Sequence, residues 1–375
     1  MIPLDRSRFS RQIMLPEFGE TAQRRLLDSR VLVVGAGGLG SPVLLYLAGA
    51  GVGRIGIIDG DTVALHNLHR QVLFGTDDIG AVKGVRAREE VLARFPECSV
   101  ELYSESLTPE NARRVVEPYD LVIDGTDNFE TRYLVNDICV ELKKPWVSGA
   151  VFKFSGQVTL FNAPDKDGER GPTYRCLFPE PPPAEKVPGC GESGVLATVP
   201  GIVGMVMANE AVKYLSGVGE VLSGRLWIFD ALTGESRIVG FDRDEAALKD
   251  VKLKSAVEYR YFCGQKEEQP MREITPKELK AKLDAQEDIV LIDVRESFER
   301  DIASIGGTSI PLAEVINRAG EIPQDKPVVI YCRSGGRSGR ACAELEQRFQ
   351  YKNLINLAGG ILRWSDDVDS TVRKY

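Results

Sequence analysis

Ser29 to Asp61 reads SRVLVVGAGGLGSPVLLYLAGAGVGRIGIIDGD, two apolar runs separated by a glycine cluster and an apolar helical stretch. Val31–Val34 and Ile55–Ile58 are short, rich in β-branched residues and apolar throughout, the pattern of strands covered on both faces. Between them Gly35, Gly37 and Gly40 satisfy G-x-G-x-x-G, placed after a strand and before a helix. The expected unit is strand, glycine turn, helix and parallel strand, with Asp59 at the end of the second strand facing ribose hydroxyls. Taken alone this pattern suits a dinucleotide dehydrogenase as well as it suits other nucleotide-binding enzymes.

The residues beyond Asp59 narrow the choice. DGDTVALHNLHRQ delivers Asn67 and Arg70, and Lys83 follows at the entry of the next helical stretch. A dehydrogenase does not need cationic and amide groups gathered past the ribose. An enzyme that attacks an α-phosphate does, because charge must be neutralised on the nucleotide and on the departing pyrophosphate. DGTDN places Asp124 and Asp127 at the carboxyl end of a further strand, an oxygen-rich place for magnesium. His66 and His69 lie on either side of Asn67 without an H-E-x-x-H motif, so they read as loop contacts rather than metal ligands. DLVIDGTDN and KPWVSGAV alternate with helical stretches at Ala81–Arg94 and Thr131–Leu142, which predicts an α/β domain with a mainly parallel sheet.

The chain has 375 residues, 43% hydrophobic and 27% charged, which favours more than one domain and a substantial core. The polar stretch CGQKEEQPMREIT divides it into a first domain at 1–264, a linker at 265–273 and a second α/β domain at 274–375. Net charge −8 argues against nucleic acid as the main partner. The apolar run near Val195–Met207 is interrupted by Pro200 and too short for a bilayer, so no membrane role is expected. Seven cysteines at irregular spacing do not form a disulfide framework and fit a reducing, cytoplasmic setting. The proline-rich stretch from Asn162 to Gly194 lacks periodicity and is expected to be an extended, mobile crossing loop.

In the second domain, Tyr331 to Ser338 reads YCRSGGRS, one cysteine between two arginines in a glycine-containing loop after a buried strand. Backbone N–H groups, the following helix N-terminus, Arg333 and Arg337 favour Cys332 as a thiolate and attract an incoming anion. Phosphatase and sulfurtransferase chemistry both suit such a loop; phosphatase loops of this type resemble C-x5-R, whereas Cys332 to Arg337 is C-x4-R, one residue smaller, a size that resembles a rhodanese. Asp293 and Arg295 read as an ion pair that holds this loop. Cys98, Cys139 and Cys342 read as small core residues.

The segments SRQIMLPEFG, VVGAGGLGSP, IIDGDTVALHNLHRQ, DIGAVKG and DGTDNFETRYLVND resemble, in unbroken order, the MoeB/ThiF branch of the ubiquitin-activating family. The YCRSGGRS loop and the closing LAGGILRWSDD resemble a rhodanese domain. The resemblance implies a Rossmann-like ATP-binding activating domain fused to a C-terminal rhodanese domain. It implies ATP contacts at Gly38 and Asp59, phosphate contacts at Asn67, Arg70 and Lys83, Mg2+ at Asp127 with Asn128 beside it, and a homodimer in which Arg11 reaches the partner's nucleotide. It also implies a small ubiquitin-like sulfur-carrier protein ending in Gly-Gly, and a sulfur donor such as thiosulfate or a cysteine desulfurase persulfide. Cys190, in VPGCGESGVL, matches the family's loop cysteine and is the candidate second thiol. Of the two C-x-x-C pairs that hold zinc in the family only Cys176 and Cys263 remain, with Thr173 and Arg260 in place of the others, so zinc is not expected. The expected chemistry is adenylylation of the carrier's carboxylate followed by sulfur transfer from a Cys332 persulfide. The alternative is an activating enzyme that forms only a carrier adenylate or thioester, with the rhodanese domain as a docking module.

Overall fold

The computed structural model describes residues 4–181, 194–249, 251–263 and 272–375. The chain divides into two compact units, Met1–Lys266 and Glu267–Tyr375, each built on its own sheet.

The first unit contains β1 (Arg30–Val34), β2 (Arg54–Ile58), β3 (Ser99–Tyr103), β4 (Leu121–Asp124), β5 (Trp146–Phe152), β6 (Ser155–Phe161), β7 (Arg225–Asp230) and β8 (Ser236–Gly240). Their order across the sheet is β3-β2-β1-β4-β5-β6-β7-β8. β1 to β5 pair in parallel, and β5 to β8 continue as antiparallel neighbours. Val31 lies opposite Ile55 on one side and Leu121 on the other, so the apolar run seen in the sequence is the centre of the sheet. Val31, Leu32 and Val33 are fully buried, as a strand covered on both faces requires.

One face is covered by the helices Gly40–Ala50, Lys83–Arg94 and Thr198–Ser216, through Leu44, Leu47, Val91, Val203 and Met207. The other is covered by Pro109–Val116 and Phe129–Glu141, through Ala112, Val115, Tyr133 and Ile138. Thr108 starts the helix at Pro109, with Asn111 Oδ1 accepting the Thr108 N–H at 2.8 Å, so the proline falls where no helical N–H is needed. Pro200, read from the sequence as a break, lies in the first turn of the long Thr198–Ser216 helix for the same reason. Among the described residues no helix is long and apolar enough to cross a membrane.

β1 has β2 on one side and β4 on the other, so the chain order reverses at the carboxyl ends of β1 and β4. Open α/β sheets bind ligands in the crevice at such a point. The loops that leave the two strands touch there: a Cβ on Gly35 would lie 3.3 Å from the Gly125 carbonyl carbon. Gly40 is more constrained, since its Cβ would stand 1.9 Å from the Gly35 oxygen.

The stretch expected to be a mobile crossing loop is packed over its described first part. Asp165 Oδ1 accepts the N–H groups of Asp167 and Glu169, both at 2.9 Å, and forms a tight turn. A short helix, Tyr174–Leu177, then buries Tyr174 and Arg175. Arg175 makes two 2.7 Å bonds to Asp137, and the Tyr259 hydroxyl donates to the same carboxylate at 2.8 Å. The Arg175 guanidinium also sits 4.9 Å from the Tyr133 and Phe262 rings. Periodicity misses this segment because it is anchored by a charge and aromatic stacking rather than by an amphipathic repeat.

The second unit contains β9 (Glu273–Ile274), β10 (Val290–Asp293), β11 (Thr308–Ser309), β12 (Val328–Tyr331) and β13 (Leu354–Leu357). They form an all-parallel sheet in the order β11-β10-β12-β13-β9. Apolar clusters line both faces, one around Ile292, Ile330 and Leu345 and the other around Val329, Leu357 and Trp364. Thr275 and Glu278 form a reciprocal capping box at the start of the helix Pro276–Asp284. Arg295 and Asp293 form a bidentate pair with bonds of 2.8 and 2.6 Å, and neither side chain is exposed. Arg295 also donates to the Ala303 carbonyl at 2.8 Å, so the pair joins β10 to the helix Ser297–Ile302 and the segment after it.

Candidate active site

In the first unit the glycine loop is tied to the end of β2 by Asp59. Its Oδ2 accepts the Ala36 N–H and its Oδ1 the Asp61 N–H, each at 2.8 Å. Burial pushes this carboxyl up, against the opposing pull of the two amides and Lys83. Lys83 is buried and bonds Asp61 Oδ2 at 3.0 Å, so its ammonium stands beside the Asp59–Asp61 turn. Arg70 lies across the glycine loop, with its Cγ and Cδ 3.5 and 3.6 Å from the place a Gly38 Cβ would occupy. Pro200 Cβ stands 3.1 Å from the same position, so a side chain at residue 38 would crowd both neighbours.

Arg70 Nη1 donates to the His66 carbonyl at 3.1 Å. His69 Nδ1 meets the same carbonyl at 2.9 Å, and its Nε2 lies 3.4 Å from Arg70 Nη1. The histidines therefore shape the Arg70 loop. Asn67 is buried, and its Oδ1 accepts the Ala64 N–H at 3.1 Å, so that oxygen serves the turn. Gln71 is 4% exposed and its Oε1 has no hydrogen-bond partner among the described residues. Its Nε2 approaches the Gly37 Cβ position to 3.5 Å. Sequence reasoning passed over Gln71, although its place beside Arg70 in HRQ was a signal.

At the end of β4 the two aspartates separate. Asp124 is fully buried, accepts the Thr126 N–H at 3.0 Å and hydroxyl at 2.6 Å, and is faced by Arg132 Nε at 3.4 Å. Its oxygens are committed inside the protein, so the sequence reading of two carboxylates open to magnesium is corrected to one, Asp127, which is exposed. One carboxylate fits Mg2+, which takes most of its ligands from water and substrate phosphates. Asn128 caps the helix Phe129–Glu141 by accepting the Thr131 N–H at 2.8 Å. Arg11 is exposed on the short helix Ser10–Ile13. Cys190 lies outside the described residues.

At the expected zinc position, Cys176 Sγ accepts the N–H groups of Thr173 and Asp244, both at 3.3 Å. Burial pushes the Cys263 thiol up to about 12, and Thr173 and Arg260 stand where a tetrahedral site would need two further thiolates. These residues do not fit a tetrahedral zinc site. Burial also pushes Cys98 and Cys342 up to about 12, in keeping with inert core thiols.

In the second unit Cys332 follows β12 and is 1% exposed. Its Sγ accepts the Gly335 N–H at 3.1 Å, and Gly335 adopts φ +97, a turn glycine makes without strain. The Ser338 hydroxyl lies 3.4 Å from the sulfur and donates to Asn356 Oδ1 at 2.6 Å. The loop is clamped from outside: the Ile361 N–H donates to the Cys332 carbonyl at 2.9 Å and the Leu362 N–H to the Arg333 carbonyl at 3.1 Å. The closing LAGGILRW segment thus sets the backbone that presents the sulfur.

The two arginines do not act alike. Arg337 makes two 2.6 Å bonds to Glu299, so its charge is neutralised within the fold and the expectation of a second open anion-binding arginine is corrected. Burial works to raise Glu299, yet bonds from Arg337, the Glu296 N–H and Tyr375 hold it below the usual carboxylate range. Arg333 Nε donates to the Tyr375 main-chain oxygen at 2.6 Å. Glu299, Asn356 and Tyr375 were not legible as site residues, because they lie far from the loop in sequence; Ser338 stands inside YCRSGGRS and was passed over.

A switch-point crevice rimmed by a glycine loop, Arg70 and Lys83, and a backbone-clad thiol on a separate parallel sheet, define a two-domain protein with a nucleotide-binding half and a sulfur-handling half. A family model described as ThiF family matches residues 9–248, and one described as Rhodanese-like domain matches residues 275–367. The chain belongs to the ThiF family and carries a C-terminal rhodanese-like domain.

It is 42% identical over 377 residues to the "Probable adenylyltransferase/sulfurtransferase MoeZ" of Mycobacterium tuberculosis, spanning 98% of this chain and 95% of that one. It is 38% identical to the adenylyltransferase and sulfurtransferase MOCS3 of Drosophila yakuba, spanning 99% and 85%. A sulfur carrier protein adenylyltransferase of Thermus thermophilus is 48% identical, spanning 68% of this chain and 96% of that one. Among solved structures, E. coli MccB with ATP superposes with TM-score 0.53 at 23% identity, over 60% of this chain and 67% of that one, a likeness of fold.

Proposed function

We propose that the chain is an ATP-dependent adenylyltransferase joined to a sulfurtransferase, acting in turn on the C-terminal carboxylate of a small ubiquitin-like sulfur-carrier protein ending in Gly-Gly. The observation that carries this reading is the presence on one chain of both halves: Arg70 packed across the glycine loop with buried Lys83 at the Asp59–Asp61 turn, and Cys332 held by the Gly335 N–H. The relatives named for both activities span nearly the whole chain.

In the first step a carboxylate oxygen of the carrier attacks the α-phosphorus of ATP, and pyrophosphate leaves. No base is needed, since a carboxylate is ionised at neutral pH. Gly38 and Asp59 hold the nucleoside end. Arg70, Lys83 and the amide of Asn67 face the phosphates and stabilise the charge that develops on the leaving pyrophosphate. Asp127, with Asn128 beside it, would hold Mg2+, which supplies further neutralisation of phosphate charge. Arg11 is supplied to the partner's site in a homodimer.

In the second step the terminal sulfur of a Cys332 persulfide attacks the carrier's activated carbonyl, and AMP leaves. The acyl disulfide so formed is cleaved by the Cys190 thiolate attacking Cys332 Sγ. The carrier departs as a thiocarboxylate and a Cys190–Cys332 disulfide remains for a cellular thiol to reduce. The persulfide is loaded by thiosulfate or a cysteine desulfurase. The setting is the cytoplasm, and zinc takes no part.

Intact-mass measurement of Gly-Gly-ended carriers with this protein, MgATP and thiosulfate tests the reading, comparing wild type with Cys332→Ala. Replacement of one carrier oxygen by sulfur, lost in the variant, is the expected result. Unmodified carriers alongside persistent ATP–pyrophosphate exchange would overturn the sulfur-transfer half.

A further inference from the structure

The Cys332 sulfur is the inner end of a row of polar side chains that runs to the surface of the second unit. Ser338 Oγ lies 3.4 Å from Cys332 Sγ and 2.6 Å from Asn356 Oδ1, and Asn356 Nδ2 donates to Glu273 Oε1 at 2.9 Å. Ser338 and Asn356 are buried, whereas Glu273 is exposed at the start of β9. The carboxylate fixes the direction of the row. An ionised carboxylate only accepts, so the Asn356 amide nitrogen faces Glu273 and the amide oxygen faces Ser338. An amide oxygen cannot donate, so the proton in the 2.6 Å contact is the serine's. With its one proton directed at Asn356, the Ser338 hydroxyl turns a lone pair toward the sulfur.

We infer that Glu273 and Asn356 are positioning residues for sulfur loading: they hold the Ser338 proton off Cys332, so that the sulfur becomes anionic only as the hydroxyl leaves the amide. This rests on the reading of Cys332 as the sulfur-accepting thiol. A neutral S–H donates to the serine oxygen and leaves the row intact. A thiolate meets that lone pair unless the hydroxyl turns to it, and the turn leaves Asn356 Oδ1 without its donor. The bond to the anion is charge-assisted and the stronger of the two, so the hydroxyl follows the charge and the bond at Asn356 is forfeited. The row thus opposes the Gly335 N–H, which favours the anion. The other charged or titratable groups around the sulfur are Arg333 and Arg337 of its loop, Glu299 of the helix Ser297–Ile302 and Cys342 of the helix Gly336–Phe349. With thiosulfate as donor, the Cys332 thiolate attacks the outer sulfur, the S–S bond of thiosulfate breaks, and sulfite leaves with the electron pair. The negative charge then sits on the outer sulfur of the persulfide, and the hydroxyl returns to Asn356.

The test uses the full chain and follows alkylation of Cys332 by iodoacetamide, by peptide mass, from about pH 6 to about pH 10, a range that brackets thiol ionisation. Glu273→Ala lets the Asn356 amide rotate and donate to Ser338 Oγ, which turns the hydroxyl onto the sulfur. The midpoint of the pH–rate profile is expected to fall by about 0.7 pH unit, the equivalent of one hydrogen bond of about 1 kcal/mol. The plateau rate at high pH should fall by about twofold, because a less basic thiolate is a weaker nucleophile. A merely loosened loop would instead expose the sulfur and raise the plateau. Asn356→Ala removes the competing acceptor and should move the midpoint in the same direction. Glu273→Gln still accepts from Asn356 Nδ2 and should keep the wild-type midpoint. In a Ser338→Ala background, Glu273→Ala should add nothing, as coupling through one group requires.

An unchanged or raised midpoint in Glu273→Ala overturns the inference, as does an undiminished shift in the Ser338→Ala background. Glu273 is exposed, so its replacement tests the row without opening the core. Failure of the wild type to take up sulfur from thiosulfate would count against loading of Cys332 by this donor, while the midpoints would still decide the role of Glu273 and Asn356.

Discussion

Gly360→Ala strikes the clamp on the Cys332 loop without touching the sulfur. Gly360 has φ +59, and an added Cβ would lie 2.5 Å from the Cys332 oxygen and 2.6 Å from the Arg333 oxygen. An alanine in the left-handed region costs about 1–2 kcal/mol. The methyl also drives the helix Gly360–Asp367 off the loop, which breaks the Ile361 and Leu362 bonds at about 0.5–1.5 kcal/mol each. The expected loss is therefore about 2–5 kcal/mol out of a typical domain stability of about 5–15 kcal/mol. With a urea slope of about 1–3 kcal/mol/M, the midpoint of the rhodanese-like unit falls by about 1–5 M. Urea unfolding followed on the full chain reads this directly. ATP–pyrophosphate exchange should be unchanged, because the glycine loop, Arg70 and Lys83 belong to the other unit and its separate sheet. Persulfide formation at Cys332 should fall. A wild-type midpoint together with wild-type persulfide yield would refute the clamp.

Arg295→Met leaves Asp293 buried and unpaired and should destabilise the same unit by about 3–5 kcal/mol, measured by thermal or urea unfolding; replacing both partners with apolar residues should restore part of it. Arg70→Ala and Lys83→Met should each lower ATP–pyrophosphate exchange by about 10²–10³ without altering persulfide formation, since each removes a preset positive charge from the phosphates. Glu299 is held below its unfolded value, so its stabilising contribution is complete above about pH 4.3 and is lost as pH falls through the folded value. Glu299→Gln should flatten the acid limb of the unit's stability curve in unfolding measured from pH 7 to pH 3. Elemental analysis should find far less than one zinc per chain, and a chelator should leave the melting temperature unchanged, because only Cys176 and Cys263 remain of the four thiolates such a site needs.

What the sequence by itself determined is the part of this protein set by local chemistry. Apolar runs of β-branched residues around G-x-G-x-x-G imposed the βαβ unit, because each strand must be covered on both faces and Gly40 leaves no room for a Cβ against Gly35. Cys332 was legible as a candidate thiol because its glycine turn and flanking arginines are written in YCRSGGRS itself. The antiparallel extension β6 to β8 was not legible, since β8 is exposed along its length and lacks an alternating apolar face.

Only the tertiary structure decided which charges remain available. Asp124 and Asp127 look equivalent in DGTDN, yet Arg132 and Thr126 claim the first. Arg333 and Arg337 look equivalent in YCRSGGRS, yet Glu299, 38 residues away in sequence, binds the second, while Tyr375 binds the first. Arg175 and Asp137 anchor an aperiodic segment across the same separation of 38 residues. Periodicity reports which face of an element is apolar, a property of neighbours along the chain. Ion pairs depend on distances of a few ångströms between side chains that only folding brings together.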